Sequence, residues 1–247
     1  MFRFSRNQTT LDDLMLIDEN INAFAGELGV TFRDPRLLQS ALTHRSFVHE
    51  NPAHPVATSE RLEFLGDSVL SLIVTDELYR LHGTLAEGEL SKLRSFIVNE
   101  ETLAQIARGL GVHRYVLVGR GEAPVIETKA AILADALEAI LGAMYLDQGL
   151  EVVREKFTSW ARDLNLFDSK HLIDFDAKSR LQEFCLKKWQ ELPSYVAEER
   201  KLPQGPSFLV TLKIRGRELV STQNTSKKKA ELWLAQTCLK HQLHLYL

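Results

Sequence analysis

The sequence has few of the features that mark membrane or secreted proteins. Among its 247 residues only two are cysteines, Cys185 and Cys238. They lie too far apart in the sequence for a metal-binding pair, and two cysteines are too few for a disulfide framework. No apolar run approaches the roughly 20 residues needed to cross a bilayer. Residues 1–8 include no apolar stretch after the basic residues, so we expect no secretory signal. These absences predict a cytoplasmic protein without a membrane partner, in which both cysteines act as small core hydrophobes.

A strongly basic balance, which is common in nucleic-acid-binding proteins, is also missing, because the net charge is −3. The charge is nevertheless unevenly distributed. Residues 1–175 contain 17 Lys and Arg against 26 Asp and Glu, a net charge of −9. Residues 176–247 contain 13 against 7, a net charge of +6. An acidic part joined to a basic part indicates separate tasks, with the basic part suited to a polyanion and the acidic part suited to cations.

The hydrophobic periodicity changes along the chain in the same way. Residues 15–164 have helical spacing throughout, which predicts an all-α domain. Residues 165–175 are polar and predict a linker. Residues 176–244 then predict a small α+β domain with the order α-β-β-β-α.

Within this second domain the predicted strands alternate apolar and polar residues, which indicates a sheet with one buried face. The predicted elements, with a hairpin turn at Arg215-Gly216-Arg217, are a helix at 179–190, strands at Ser194–Arg200, Phe208–Arg215 and Glu218–Thr222, and a helix at 226–241.

Carboxylates occupy the apolar helices of the first domain at helical spacing. Glu60, Glu63 and Asp67 lie within about 60° of one another on one helix, because successive residues turn by ~100°. A second apolar helix contains Asp135 and Glu138 as its only polar side chains between residues 130 and 144. Like charges on buried helices are costly unless a cation joins them. Mg²⁺, which takes oxygen ligands, is the cation that fits.

Two alternatives to a magnesium site remain open at this point. The acids could be solvated or paired with Arg61, Lys92 or Arg94. They could also belong to a di-iron protein, but such proteins add a Glu-x-x-His pair on two helices. No Glu in this sequence has His three residues later, so a phosphate-ester metal site is the better interpretation.

Three segments resemble the ribonuclease III family. The segment Glu60–Ser68, ERLEFLGDS, resembles the nine-residue signature of that family. Ala41–Ser46 and Ile132–Ala139 resemble two further family segments, and the resemblance covers nearly the whole chain in the family's order. It implies a nuclease domain at 15–164 and a double-stranded RNA-binding domain at 176–244.

The resemblance also implies an activity and its site. Glu63, Asp67, Asp135 and Glu138 match the catalytic carboxylates. Of these, Glu63, Asp135 and Glu138 are the expected Mg²⁺ ligands, and Mn²⁺ is expected to substitute. The implied reaction is hydrolysis of phosphodiester bonds in double-stranded RNA, leaving 5′-phosphate and 3′-hydroxyl ends. Processing of ribosomal RNA and other structured transcripts is the family expectation.

Lower-ranked expectations concern further residues and the assembly. Glu60 and Glu87 match outer acidic positions of the family, which contact RNA or help to hold metal. Phe64 matches a ring that family members bury in the partner subunit of a homodimer, although it could also pack in its own core. His44 has a residue type suited to a general base, but we expect it to have a structural role in its helix.

In the second domain the resemblance points to contacts with duplex RNA. Gln182 and Glu183 match the first-helix segment that faces the minor groove. Ser226, followed by Lys227–Lys229, matches the start of the last helix. Three lysines at a helix N-terminus oppose the helix dipole, so phosphate binding explains them better than a solvated basic end does. The chain departs from the family at Gly205-Pro206-Ser207, where a longer loop with a histidine is usual.

Two other functions are compatible with these features. A double-stranded RNA-binding protein that does not cut would be favoured by loss of acidic positions, and all of them are present. A scaffold that docks on structured RNA would give no Mg²⁺-dependent product.

Overall fold

The computed structural model of the chain describes residues 11–52, 55–171, 177–202 and 205–242. The chain divides into two compact units, Met1–Phe167 and Asp168–Leu247. The first is helical, and the second has the element order α-β-β-β-α, so the predicted fold class is confirmed.

The first unit is built from helices joined by short connections and two 3₁₀ turns, Val112–Arg114 and Ala123–Thr128. Among the residues that the structure describes in this unit, the α-helices are α1 (Leu11–Leu28), α2 (Pro35–Ala41), α3 (Arg45–Glu50), α4 (Glu60–Leu81), α5 (Glu87–Ile97), α6 (Glu100–Gly109), α7 (Ala130–Gln148) and α8 (Leu150–Asp163). No helix within the described ranges is both long and apolar enough to span a membrane.

Helix α7 is the centre of this unit. It packs against α2, α4, α6 and α8, and its alanine, leucine and isoleucine side chains are buried on nearly every side. A helix that is apolar all round is stable only when other elements surround it. Its first two acidic residues, Asp135 and Glu138, are therefore half-buried within the helical unit.

Helices α4 and α7 approach each other closely at two glycines. A Cβ atom added to Gly66 would lie 1.8 Å from the carbonyl oxygen of Glu138, and one added to Gly142 would lie 2.2 Å from that of Leu62. Only glycine leaves room for backbones at such distances. The two acidic helices are thus in direct backbone contact beside their carboxylates.

The start of α4 is tied to two other segments. The N–H of Ser59 donates to the carbonyl of Thr43 (2.9 Å), and Thr43 forms a parallel bridge with Leu117. The His44 Nδ1 accepts from the N–H of Ser46 (3.2 Å) and so caps α3. His44 therefore lies at the N-terminal cap of a separate short helix and not within the helix that the sequence predicts around it.

Asp147, near the end of α7, fixes the segment before α2. Its carboxylate accepts from the backbone N–H groups of Arg33 and Asp34, both at 2.9 Å. The residue is buried, so these hydrogen bonds replace the water that its charge would otherwise require.

The second unit has helices on one face of an antiparallel sheet. In the portion of this unit that the structure describes, the elements are α9 (Ala177–Trp189), β1 (Ser194–Leu202), β2 (Gly205–Ile214), β3 (Arg217–Asn224) and α10 (Lys227–Lys240). The strand order is β1-β2-β3. The alternating apolar residues of β2, Val210, Leu212 and Ile214, pack against the buried sides of both helices, including Cys185 and Cys238.

The strands are longer than the sequence predicted. β1 continues to Leu202 and β2 begins at Gly205, with Leu202 paired to Gly205. The Gly-Pro pair at 205–206 therefore belongs to the strand and not to a preceding loop, because a proline is tolerated near the start of a strand. The second hairpin turns on two residues only, Arg215 and Gly216, both with positive φ, as a type I′ turn requires.

Candidate functional site

Three carboxylates from two helices converge at the crossing of α4 and α7. Glu63 of α4 and Asp135 and Glu138 of α7 each offer an oxygen, and these oxygens all lie within 4.8 Å of one another. All three residues are half-buried. The i, i+3 spacing turns Asp135 and Glu138 towards the same side of α7, and the close helix crossing brings Glu63 to them.

The environment of these carboxyls disfavours negative charge. Burial raises the pKa of Glu138 to about 8, and the nearby carboxylates of Asp67, Asp135 and Glu63 contribute to this increase. Burial also raises the pKa of Glu63, where the charges of Asp135 and Glu60 add to the effect. The pKa of Asp135 is raised by burial as well. Pairing with Arg61, Lys92 or Arg94 would lower these pKa values, so the ion-pair alternative does not describe the site.

The other acidic residues that the sequence singled out lie around this cluster. Asp67 is exposed, one turn after Glu63, and its charge raises the pKa of Glu138. Glu60 is exposed and makes an ion pair with Arg45 (3.7 Å). Glu87 begins α5, where it accepts a hydrogen bond from Ser91 Oγ (2.8 Å). In the described part of the chain the three-carboxylate cluster does not include these residues.

Two residues beside the site come from the segment around α3. The positive charge of Arg45 offsets part of the increase that burial causes in the pKa of Glu63 and Asp135. A positive charge on His44 would offset part of the increase in the pKa of Asp135 as well. Arg45 is not among the site residues predicted from the sequence. Its only signal was its place next to His44 in the segment that resembles a family motif.

The cluster fits a divalent cation. The donors are carboxylate oxygens, which are the ligands that Mg²⁺ and Mn²⁺ prefer. Their raised pKa values show that the uncompensated charge is costly, and a dication would remove this cost. Glu63, Asp135 and Glu138 are the residues that would hold it.

Phe64 lies next to the cluster on α4 and does not pack in the core of its own chain. Its side chain is 80% exposed. Leu72 and Tyr79 of the same helix are also exposed, and all three lie within about 80° on one side of α4, from ~100° per residue. The side of α4 that carries Phe64 is therefore an apolar surface.

The predicted RNA-contacting residues of the second unit lie at the surface on its two helices. Gln182 and Glu183 lie on α9, half-buried and exposed respectively. Ser226 caps α10, and its Oγ accepts from the N–H of Lys229 (3.4 Å). The side chains of Lys227, Lys228 and Lys229 are exposed.

One acidic residue links the starts of α9 and α10. Glu231 accepts from Lys178 Nζ (2.6 Å), and it lies 4.0 Å from Lys227 Nζ. Lys178 also lies over the ring of Tyr195, 5.0 Å from its centroid. The first basic residues of both helices therefore lie near the same carboxylate, that of Glu231.

Comparison with known proteins agrees with this arrangement. The family model described as Ribonuclease-III-like matches residues 34–163, which is just over half of the chain. The chain belongs to the ribonuclease III family. A second family model, the double-stranded RNA binding motif, matches residues 177–241. The helical unit therefore corresponds to the ribonuclease III nuclease domain, and the α-β-β-β-α unit corresponds to the RNA-binding motif.

Individual relatives cover both units. The chain is 43% identical over 221 residues to "Ribonuclease 3" of Thermobifida fusca, covering 89% of this chain and 91% of the relative. It is 40% identical to "Ribonuclease 3" of Borreliella afzelii, covering 89% of this chain and 90% of that one. Among solved structures, the nuclease domain of ribonuclease III from Campylobacter jejuni matches with a TM-score of 0.54 and 39% identity. That match covers 58% of this chain and 97% of the domain.

Proposed function

We propose that the protein is a cytoplasmic metal-dependent endoribonuclease that hydrolyses phosphodiester bonds in double-stranded RNA, leaving 5′-phosphate and 3′-hydroxyl ends. The observation that carries this proposal is the cluster of Glu63, Asp135 and Glu138, whose oxygens lie within 4.8 Å of one another. Family membership supplies the substrate class, because relatives that share about 40% of the sequence are named "Ribonuclease 3".

In this account the carboxylates have distinct tasks. Glu63, Asp135 and Glu138 bind Mg²⁺, for which Mn²⁺ can substitute. A cation held by these three carboxylates would supply an activated water and would stabilise charge on the attacking and leaving oxygens. Asp67, exposed beside Glu138, orients water at the open side of the site. Arg45 is placed to balance the negative charge of the site in the absence of substrate.

The second domain holds the duplex by its shape and its phosphates. Domains of this kind contact successive grooves and do not depend on base sequence. Lys227–Lys229 approach phosphates at the N-terminus of α10, where free N–H groups also favour anions. Gln182 and Glu183 face the minor groove from α9. Precursors of ribosomal RNA and other structured transcripts are the proposed substrates.

The proposed working form is a homodimer. Phe64, Leu72 and Tyr79 form an exposed apolar surface on α4, and burial of such a surface favours association. The Campylobacter jejuni neighbour is described as having a region involved in dimer formation. Two copies of the site in one assembly would allow cleavage of both strands of a duplex.

The second candidate function is a double-stranded RNA-binding protein that does not cut. RNA binding without cleavage does not require a cluster of partly buried carboxylates, whose ionisation costs free energy. The presence of all the acidic positions, together with the raised pKa values of the clustered three, therefore favours the nuclease.

Incubation of the full-length protein with a long duplex RNA tests the proposal. We expect cleavage with Mg²⁺ or Mn²⁺, no cleavage with EDTA, and no cleavage of the separated strands. End labelling should show 5′-phosphate on the products. Binding of the duplex without any Mg²⁺-dependent product would instead support the non-cleaving alternative.

A further inference from the structure

The crossing of α4 and α7 places two glycines against the backbone of the metal-ligand segments. Gly66 follows Glu63 by one turn of α4, and its absent side chain faces the carbonyl of Glu138 itself. Gly142 follows Glu138 by one turn of α7, and it faces the carbonyl of Leu62, the residue before Glu63. Each glycine therefore allows one helix to touch the other beside a proposed ligand.

These contacts leave no room for even a methyl group. A Cβ atom at position 142 would lie 2.2 Å from the Leu62 oxygen, at least 0.8 Å closer than the 3.0 Å below which real Cβ atoms essentially never come. At position 66 the same atom would lie 1.8 Å from the Glu138 oxygen. The opposing atoms are helical backbone, so relief requires the two helices to separate, because a packed interior transmits such strain to its neighbours.

The presence of glycine in the interior of both helices itself requires a structural reason. Glycine in a helix interior costs about 1 kcal/mol relative to alanine, and both positions are buried inside long helices. By contrast, a Cβ atom added to Gly26 in α1 would meet nothing within 4 Å.

We propose that Gly66 and Gly142 are positioning residues that set the distance between the α4 and α7 carboxylates, and thereby the size of cation that the site prefers. This inference rests on the proposed metal site. Mg²⁺ binds oxygen at about 2.0–2.1 Å and Ca²⁺ at about 2.3–2.6 Å. Relief of the clash at position 142 requires the two helices to move apart by about 0.8 Å, which is the difference between 3.0 Å and 2.2 Å. This movement exceeds the difference between the two metal–oxygen bond lengths, so we expect it to shift the site away from small cations.

The test measures metal binding directly on the full-length protein. Binding of Mn²⁺ to the metal-free protein is measured by EPR, and Ca²⁺ is then added as a competitor. The variants are Gly142→Ala and Gly66→Ala, and Gly26→Ala is the matched control, because it makes the same change in open space. Circular dichroism melting shows which variants fold.

In Gly142→Ala we expect Mn²⁺ affinity to fall by roughly 10- to 100-fold, the range typical when support of metal ligands is lost. We expect Ca²⁺ affinity to fall less, so that the ratio of Mn²⁺ to Ca²⁺ affinity decreases. Gly66→Ala should change the ratio in the same direction, and Gly26→Ala should leave it unchanged. A general loss of stability would lower both affinities together and would not change the ratio.

The outcomes separate this inference from the function on which it rests. A folded Gly142→Ala or Gly66→Ala protein with the wild-type ratio overturns the positioning role and leaves the metal site intact. Loss of cooperative melting in both variants also overturns it, because the glycines would then be requirements of folding. Absence of Mn²⁺ binding by the wild-type protein contradicts the proposed metal site itself, and the inference with it.

Discussion

At the scale of single residues, the site is defined by carboxyls that resist ionisation. The pKa of Glu138 is raised to about 8, mainly by burial and then by the charges of Asp67, Asp135 and Glu63. Metal ligands must be deprotonated to bind. A cation bound at this site would compete with protons for the same group, which would link metal binding to pH.

The first prediction is that the metal-free protein loses stability as pH rises from about 5 to about 9. A carboxyl whose pKa is raised on folding binds its proton more tightly in the folded state than in the unfolded state. Its contribution to the free energy of unfolding therefore falls as the pH rises from the ordinary pKa of the group through the raised pKa. Solvent screening reduces the effect at a partly exposed group. Even about 1 kcal/mol would lower Tm by roughly 2–4 °C in a protein of this size.

Thermal melting in EDTA across this pH range checks the prediction. Glu138→Gln, which cannot ionise, should show a smaller decrease in Tm, and saturating Mg²⁺ should remove most of the decrease in the wild-type protein. Identical profiles for wild type and Glu138→Gln in EDTA would contradict the raised pKa of this carboxyl.

At the scale of elements, helix bounds followed closely from the sequence and strand bounds did so less well. The strong apolar period from residue 60 and the Gly83 that follows it predict a helix over 60–82, and the observed helix is Glu60–Leu81. β2 begins three residues before the predicted Phe208, because glycine and proline are typical of turns and do not indicate a strand in the sequence. Local propensity cannot show that β1 continues opposite Gly205 and Pro206 and pairs with them in the sheet.

The site was predictable only in part for a related reason. Helical spacing places Asp135 and Glu138 on one face, but it does not give the distance to another helix. That distance depends on the contacts of Gly66 and Gly142 with the opposing backbone, a tertiary feature. Arg45 reaches the site from a different segment, and no periodicity connects position 45 with position 135.

Asp147 provides a test at the element scale. Asp147→Ala removes the acceptor for the N–H groups of Arg33 and Asp34 and leaves both unsatisfied in a partly buried position. We expect the free energy of unfolding to fall by about 2–3 kcal/mol, since bonds to a charged group contribute about 1.5–3 kcal/mol each. Urea unfolding measures this change.

The control for Asp147→Ala is Asp163→Ala, an exposed acid at the end of α8. It should change stability by less than about 0.5 kcal/mol. Equal effects of the two substitutions would mean that the hydrogen bonds of Asp147 do not secure the start of α2.

At the scale of the whole molecule, the two domains divide the charge between them. The nuclease domain is acidic and contains the clustered carboxylates, and the basic domain carries Lys227–Lys229 at the start of α10. We predict that replacing these three lysines with alanine weakens duplex binding at all sequences alike. Each lost phosphate contact should reduce the slope of log K against log salt by roughly 0.9.

Filter binding at several salt concentrations measures that slope. Lys170, exposed in the described structure and outside α10, offers a control substitution that should leave the slope unchanged. A triple variant with the wild-type slope would identify the three lysines as a solvated helix end.

Assembly gives a further prediction at this scale. Phe64→Ala should weaken the proposed dimer, because loss of a buried phenylalanine costs about 3–5 kcal/mol and a symmetric interface loses it twice. A loss of even about 3 kcal/mol corresponds to more than about a hundredfold in Kd. Sedimentation velocity at micromolar protein measures the effect, with Leu186→Ala in the second domain as a control. A monomeric wild type, or an unchanged dimer in Phe64→Ala, contradicts the interface.

The central claim is that the α4 and α7 carboxylates hold the metal that cleaves duplex RNA. Its most direct test compares wild type and Glu138→Gln in cleavage and in binding, on the same duplex RNA. Cleavage is measured in Mg²⁺ and binding in Ca²⁺. The account predicts loss of cleavage by about 10³-fold or more, as expected when a metal site that stabilises several kcal/mol of transition-state charge fails, with duplex affinity within about twofold of wild type. Near wild-type cleavage by Glu138→Gln would contradict it.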